Sequence, residues 1–309
     1  MTEQKSMSTG AWAGMGLLGS IWGASFLSNH LALAEAGVAT TVAFRVAGAC
    51  AVLWAYVLAK GLPVPREPRL WGAFLIMGLL NNAVPFSLIT WGQLTIESGL
   101  AAILNASTAI MGVLVAAMAF RDERMTARKA LGVLMGFAGV VVVIGPAALH
   151  DFDITSAAQL AILGASLSYA VSGAFARFIS RSMAPEVAAA GMLTGASLIT
   201  VPVALLTDGL PDVSWPLSVW GALLYLAVVS TALAYLIFYR LLRRAGAGNT
   251  SLVTLLVAPV AILLGAVFLG EALPLRAYAG FGLLAAGLVI LDGRLFRRRP
   301  VEVVGDPAA

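Results

Sequence analysis

AFRDERMTARKALGVLMGFAGVVVVI, residues 119–144, returns 148 positions later as VFLGEALPLRAYAGFGLLAAGLVILD, residues 267–292. The two stretches share Phe120/Phe268, Glu123/Glu271, Arg128/Arg276, Gly132/Gly280, Ala138/Ala286, Gly139/Gly287 and Val141/Val289. In each, a polar turn carrying Glu separates two long apolar segments. A chain that repeats this unit reads as a duplicated membrane protein. Duplicated membrane units build transporters around the seam between their halves.

Composition supports the bilayer reading. Of 309 residues, 60% are hydrophobic and 11% charged, against roughly 45–50% and about 25% in soluble domains. A soluble fold of this length would leave much of that apolar surface in water, whereas lipid covers it. The 32 glycines suit close helix approach in lipid. The single cysteine, Cys50, excludes an intramolecular disulfide and a Cys-rich metal site, and no metal or cofactor is expected.

About 20 apolar residues cross a bilayer as a helix, and the chain divides into ten such stretches. They lie near 11–34, 38–59, 70–91, 98–119, 129–147, 157–177, 187–207, 218–239, 250–270 and 275–292. The first reads as a retained membrane helix, too long for a signal peptide and without a small-residue cleavage site. Pro63, Pro65 and Pro68 mark one connection, Pro211 and Pro216 another.

Basic residues gather on the cytoplasmic side of membrane proteins. With the N-terminus inside, 17 of the 19 Lys and Arg fall in cytoplasmic tails and turns. Arg276 is external and Arg45 lies within a span. The outer connections hold Glu35, Glu97, Asp151, Asp153, Asp208, Asp212 and Glu271. Both termini are therefore expected in the cytoplasm, and the basic excess reflects topology rather than nucleic-acid binding.

Each half has an odd number of spans, so the second copy enters from the opposite side. Residues 11–147 form the first repeat, residues 157–292 the second, inverted one, and residues 293–309 a basic cytoplasmic tail. Upstream, Trp71-Gly72-Ala73 matches Trp220-Gly221-Ala222, with Asn81-Asn82 opposite Ser230-Thr231, Phe86 opposite Tyr235, and Trp22 with Ser25 opposite Tyr169 with Ser172. The fold class expected is all-α integral membrane: two inverted five-helix repeats, an arrangement that favours alternating access.

These residues resemble the drug/metabolite transporter superfamily in its EamA-type, ten-helix branch. The resemblance covers roughly residues 12–294 and rests on Ile21-Trp22-Gly23-Ala24-Ser25-Phe26, on Phe44-Arg45 and on the paired Glu-turn-Gly stretches. Within the branch the chain is most similar to YddG-type exporters of aromatic and other amino acids. The resemblance implies a cavity between spans 1, 3, 4, 6, 8 and 9, with spans 5 and 10 peripheral. Arg121-Asp122 departs from the Leu-Gly common at that turn.

Polar side chains in lipid turn toward the bundle interior. Helical spacing places Trp22, Ser25 and Asn29 on one face of span 1, and Asn82, Phe86 and Thr90 on one face of span 3 beside Pro85. Span 4 offers Asn105 and Thr108, span 6 Tyr169 and Ser172, span 8 Thr231, Tyr235 and Tyr239, and span 9 Thr254. These are the candidate substrate-cavity residues. For Ser and Thr the competing reading is a backbone hydrogen bond, worth about 0.6 kcal/mol on average. Trp12, Trp71 and Trp220 sit at span ends as interface residues. Arg45, a possible charge partner, lies roughly 10 Å inside the outer end, where an arginine costs on the order of 2.5–3.5 kcal/mol. It either reaches back to the outer surface, or pairs with a carbonyl or biases the cavity toward a carboxylate. His30 is a structural histidine or a pH sensor.

All fifteen Asp and Glu lie in tails, turns or span ends. Proton-coupled carriers use buried carboxylates as relays, so strong proton coupling is not expected. The leading function is a secondary exporter of small neutral or zwitterionic metabolites, amino acids foremost. Drugs, purines or other metabolites are alternative cargoes, and a non-transporting helper subunit is the alternative of a different class. Only His30 and His150 are available to a membrane enzyme, without Gly-x-Ser-x-Gly or His-Glu-x-x-His, so no enzyme is expected. The partners expected are a small-molecule substrate and the lipid bilayer, in a monomer or weak homodimer.

Overall fold

The structure, a computed structural model, describes residues 9–120, 125–145, 154–179, 183–212, 214–245 and 253–292. Arg121, Glu123, Arg124, His150, Arg181 and the tail 293–309, on which parts of the topology reading rest, lie outside the described residues. The described residues form helices and the turns between them, without strands, and group into ten helices. These are α1 (Thr9–Ala32), α2 (Val38–Ala59), α3 (Pro68–Gly92), α4 (Ser98–Ala119), α5 (Ala127–Ile144), α6 (Ile154–Ile179) and α7 (Pro185–Thr207). They are followed by α8, which begins at Leu217, by α9, which begins at Val253, and by α10 (Leu275–Asp292).

Local signals explain the boundaries. Pro68 and Pro185 open α3 and α7, where a missing N–H is harmless. Thr126 caps α5, its Oγ1 accepting from the Lys129 N–H at 3.3 Å. Gly270, at φ +66°, closes α9 in the left-handed region that glycine alone enters cheaply.

Four helices are interrupted, and those of α3 and α8 fall at matching positions of the two halves. In α3 the residues Leu79–Ala83 are π-helical; in α8, α-helix Leu217–Leu224 passes through π-helix Tyr225–Leu233 into α-helix Ala234–Ala245. In α4 the helix breaks after Asn105 and resumes at Thr108, while in α9 α-helix Val253–Leu264 continues as π-helix Gly265–Leu269. A π-turn bonds i to i+5 and leaves backbone groups looser, which is why such turns gather at functional sites.

Seven helices are long and apolar enough to cross a membrane, namely α2 to α7 and the Leu217–Leu241 stretch of α8; Leu256–Leu269 and Leu275–Leu291 are shorter apolar helices. Gly, Ser, Asn and His dilute the apolar character of α1. Its surroundings explain why: α1 packs among α4, α8 and α9, and a helix sheathed by protein need not dissolve in lipid. A Cβ at Gly19 would meet the Leu256 Cβ at 2.6 Å, and one at Gly23 the Val260 Cβ at 2.6 Å.

The packing pattern maps onto itself when the halves are exchanged. Helix α1 contacts α8 and α9, as α6 contacts α3 and α4; α2 contacts α8 as α7 contacts α3; α2 meets α7 and α5 meets α10. The α5–α10 pair has its backbones in contact. A Cβ on Gly139 would lie 2.6 Å from the Gly280 carbonyl, and one on Gly132 would lie 2.8 Å from the Gly287 carbonyl. Residue numbers rise on one helix as they fall on the other, so the two run antiparallel.

Candidate functional site

The π-helical stretches of α3 and α8 bring the polar residues of the two halves together. Tyr235 of α8 donates its hydroxyl proton to Asn82 Oδ1 at 2.7 Å and accepts from Asn81 Nδ2 at 3.3 Å. Ser172 of α6 donates to Asn81 Oδ1 at 2.8 Å, with the Tyr169 carbonyl at 2.9 Å. On the opposite side Trp22 Nε1 of α1 donates to the Ser230 carbonyl at 3.2 Å, and the Tyr225 hydroxyl to the Ile21 carbonyl at 3.0 Å. The Thr231 hydroxyl donates to the Leu226 carbonyl at 2.8 Å, five residues back in the widened turn.

Arg45 joins this cluster from α2. It is 7% exposed, so it does not reach back to the outer surface. Its Nε donates to Thr231 Oγ1 at 3.0 Å and its Nη2 to Ser230 Oγ at 3.4 Å, while its Cζ sits 3.7 Å from the centroid of the Phe86 ring. This is cation–π geometry in a desolvated place, where such contacts are strongest. Tyr169, Tyr225 and Tyr235 lie around it. Tyr239 extends the aromatic wall, with ring centroids 6.3 Å from Tyr235 and 5.4 Å from Phe238; Phe238 in turn lies 5.8 Å from Trp22.

The structure thus brings together Trp22, Asn82, Phe86, Tyr169, Ser172, Thr231, Tyr235, Tyr239 and Arg45. The other candidates lie apart from it. Ser25 donates to the Trp22 carbonyl at 2.6 Å and Thr108 to the Asn105 carbonyl at 2.7 Å, the backbone bonds weighed against a cavity role for both. Asn29 belongs to a knot at the far end of α1: its Nδ2 donates to Gln93 Oε1 at 3.1 Å, and Gln93 Nε2 donates to the Phe26 carbonyl at 2.9 Å. Thr90 is buried further along α3. Asn105 sits at the break in α4 with its Oδ1 buried and unpaired, and Thr254 is half-buried near the start of α9.

Asn81, Ser230, Tyr225 and Gln93 were missed by the face analysis. A 3.6-residue stripe selects Asn82 and Thr231 and rejects their neighbours. The π-turn widens the spiral, and the side chains of both members of each pair enter the cluster. The repeat itself carried the signal, because Asn81-Asn82 aligns with Ser230-Thr231.

Two clefts lie away from these side chains. One, of about 270 Å³, lies between α2, α3 and α7 and is lined by Val42, Ala83, Ser87 and Thr200 among others; the second, of about 180 Å³, lies between α1 and α8. In this conformation the central cluster is packed on itself.

Two carboxylates tie the halves together beyond the spans. Asp208, at the end of α7, accepts from the Thr40 N–H at 2.8 Å and the Thr40 hydroxyl at 2.9 Å, at the N-terminus of α2. Burial raises its pKa, but the hydrogen bonds from Thr40, Thr207 and the Ala39 backbone outweigh that and hold it below the ordinary value. Glu271 accepts from the Ser98 and Gly99 N–H groups, at 2.8 and 3.2 Å, at the N-terminus of α4. Helix N-termini favour anions through free N–H groups and the helix dipole. Glycines make the room: a Cβ on Gly37 would strike Asp208, and one on Gly265 would strike Glu271. Glu97 is pushed above its ordinary value by burial first and by neighbouring Glu271 second.

The sequence pattern described as the EamA-like transporter family matches residues 10–145 and, a second time, residues 156–291. An "uncharacterized transporter" of Archaeoglobus fulgidus is 24% identical, covering 91% of this chain and 98% of its own length. A "probable terminal-alkyne amino-acid exporter" of Streptantibioticus cattleyicolor is 27% identical over 92% of this chain and 94% of its own. A "probable amino-acid metabolite efflux pump" of Salmonella typhimurium is 27% identical over 92% and 95%.

Proposed function

Because the chain belongs to the EamA-like transporter family, and so is a multi-pass membrane protein that handles a small molecule, we propose that it exports amino acids, aromatic and other neutral ones, and related metabolites by alternating access. The observation that carries this reading is the cluster built from Trp22, Asn81, Asn82, Tyr169, Ser172 and Tyr235, contributed by both halves in and around the π-helical interruptions of α3 and α8. Looser backbone in paired positions of two repeats marks the binding region of alternating-access carriers. Aromatic walls accept apolar side chains through burial and stacking. The two relatives bearing amino-acid exporter names favour the same cargo class.

The cycle needs each half to rock against the other around this cluster, with ten spans, both termini in the cytoplasm of a cell whose inner membrane houses the protein, and the α5–α10 seam as scaffold. No carboxylate of the described residues lies at mid-span, Glu186 and Asp292 standing at the ends of α7 and α10, so transport runs down the substrate's own gradient without strong proton coupling.

The decisive experiment is reconstitution of the purified protein into liposomes with a panel of radiolabelled amino acids. Counterflow of neutral amino acids is expected, reduced at least tenfold by Trp22→Ala or Tyr235→Ala. Absence of counterflow for the whole panel would overturn the reading. Accumulation driven by an imposed pH gradient and persisting in His30→Ala would overturn the uncoupled mechanism alone.

A further inference from the structure

Arg45 is a buried cation without an anion. No carboxylate of the described residues pairs with it: its partners are two hydroxyls, a phenylalanine face and the phenols around it. Thr231 gives its proton to the Leu226 carbonyl and meets Arg45 with a lone pair, and a hydroxyl lone pair does not neutralise a guanidinium. A second group nearby is also unmatched. Asn82 is fully buried, with Nδ2 unpaired while Oδ1 takes the Tyr235 proton. Whichever way its amide is turned, one end lacks a partner.

These two facts have one location. Asn82 and Phe86 are one turn apart on α3, and Thr231 and Tyr235 one turn apart on α8. Phe86 and Thr231 hold Arg45, and Tyr235 holds Asn82. Buried polar groups in proteins are as a rule hydrogen-bonded, and a buried unpaired charge is tolerated in a membrane protein where a function supplies its partner. The planar guanidinium fork matches a carboxylate in two parallel hydrogen bonds.

We propose that Arg45 is the carboxylate anchor of the transport site, with Asn82 as a second polar contact, so that the cargo carries a carboxylate. The inference rests on the transporter reading above and narrows it: zwitterionic amino acids and simple carboxylates are cargo, whereas organic cations and uncharged drugs are not. The first half alone supplies this charge. The corresponding stretch of α7 holds Leu193 and Thr194, so the anchor is placed asymmetrically against α8 and gives the site a fixed polar end.

The test compares each acid with the same molecule lacking its charge. Wild-type protein in liposomes is offered L-phenylalanine and L-threonine, together with L-phenylalaninamide and L-threoninamide, as competitors of counterflow. Wild type should favour the acids over the amides by about 10–100-fold, the range expected for one charge-assisted pair. Arg45→Gln should bring the ratio near one by weakening the acids, leaving the amides nearly unchanged, and Arg45→Lys should recover part of it. Equal competition by acid and amide in wild type overturns the anchor while leaving amino-acid transport standing, and needs no variant. A ratio unchanged in Arg45→Gln does the same. Transport of neither acid, with uptake of an organic cation such as tetraphenylphosphonium, overturns both the anchor and the reading beneath it.

Discussion

Tyr235 holds both asparagines of α3 at once, giving a proton to Asn82 and taking one from Asn81. Removing its hydroxyl strands a buried amide oxygen at 0% exposure of the residue, which costs about 1–3 kcal/mol. Tyr235→Phe should therefore lower the melting temperature of the detergent-solubilised protein. It should also weaken substrate binding more than turnover, which counterflow measured over a range of concentrations would resolve. An unchanged melting temperature would mean that the hydroxyl is free in solution. At this scale much of the site was legible, because buried Trp, Tyr, Asn and Arg are rare in lipid and point inward by necessity. What sequence could not supply was phase. The helical stripe assumed 3.6 residues per turn through residues 79–83 and 225–233, where the structure uses wider turns. Ser25 and Thr108 sat on the right stripes, yet their hydroxyls turn to carbonyls three residues back, a choice no periodicity reveals.

Among the elements, the N-termini of α2 and α4 depend on carboxylates borrowed from the other half. The depressed pKa of Asp208 has a definite sign: its contribution to stability is complete above the ordinary carboxylate range and disappears as pH falls through its lowered folded value. Asp208→Asn should lower the melting temperature at neutral pH and flatten its fall in strong acid. Glu97 has the opposite sign. Its raised folded value means that acidification relieves burial and the repulsion from Glu271, so this residue stabilises as pH drops through the region just above the ordinary glutamate range. Glu97→Gln should remove that gain, and melting curves recorded from neutral to acid pH check both. Gly265→Ala places a methyl where the Glu271 carboxylate lies and should match Glu271→Gln in effect. The Glu repeat was visible in sequence, but its task was not. A glutamate in a turn looks like a solubilising charge until the N–H groups of a distant helix are seen beside it.

For the whole molecule, the doubled segment was the most legible feature, since hydropathy, charge alternation and spacing all followed from it. The exchange of contacts between halves follows from that doubling, while the identity of the contacting pairs depends on packing. Gly139→Leu or Gly287→Leu should force α5 and α10 apart, lowering the melting temperature by well over 5 °C and abolishing transport, whereas leucine at Gly282, which has open space beside it, should be tolerated. Two chains divided between residues 146 and 153 and expressed together should reassemble into a transporting protein, because the interface between halves is broad and needs no covalent link; transport by the split pair in vesicles is the measure.

The seam between α5 and α10 has one more consequence, for inheritance rather than mechanics. Gly132 faces Gly287, and Gly280 faces Gly139, so each copy presents to its twin the same backbone it receives, as in the isologous contact of a two-fold dimer. A side chain gained on one copy finds no slack on the other, where main-chain atoms stand among the opposing ones, beside Leu291 and Val143, and cannot be traded for a smaller residue. Compensation by a second substitution is closed off, and the four glycines must persist or be lost together while the helices around them drift.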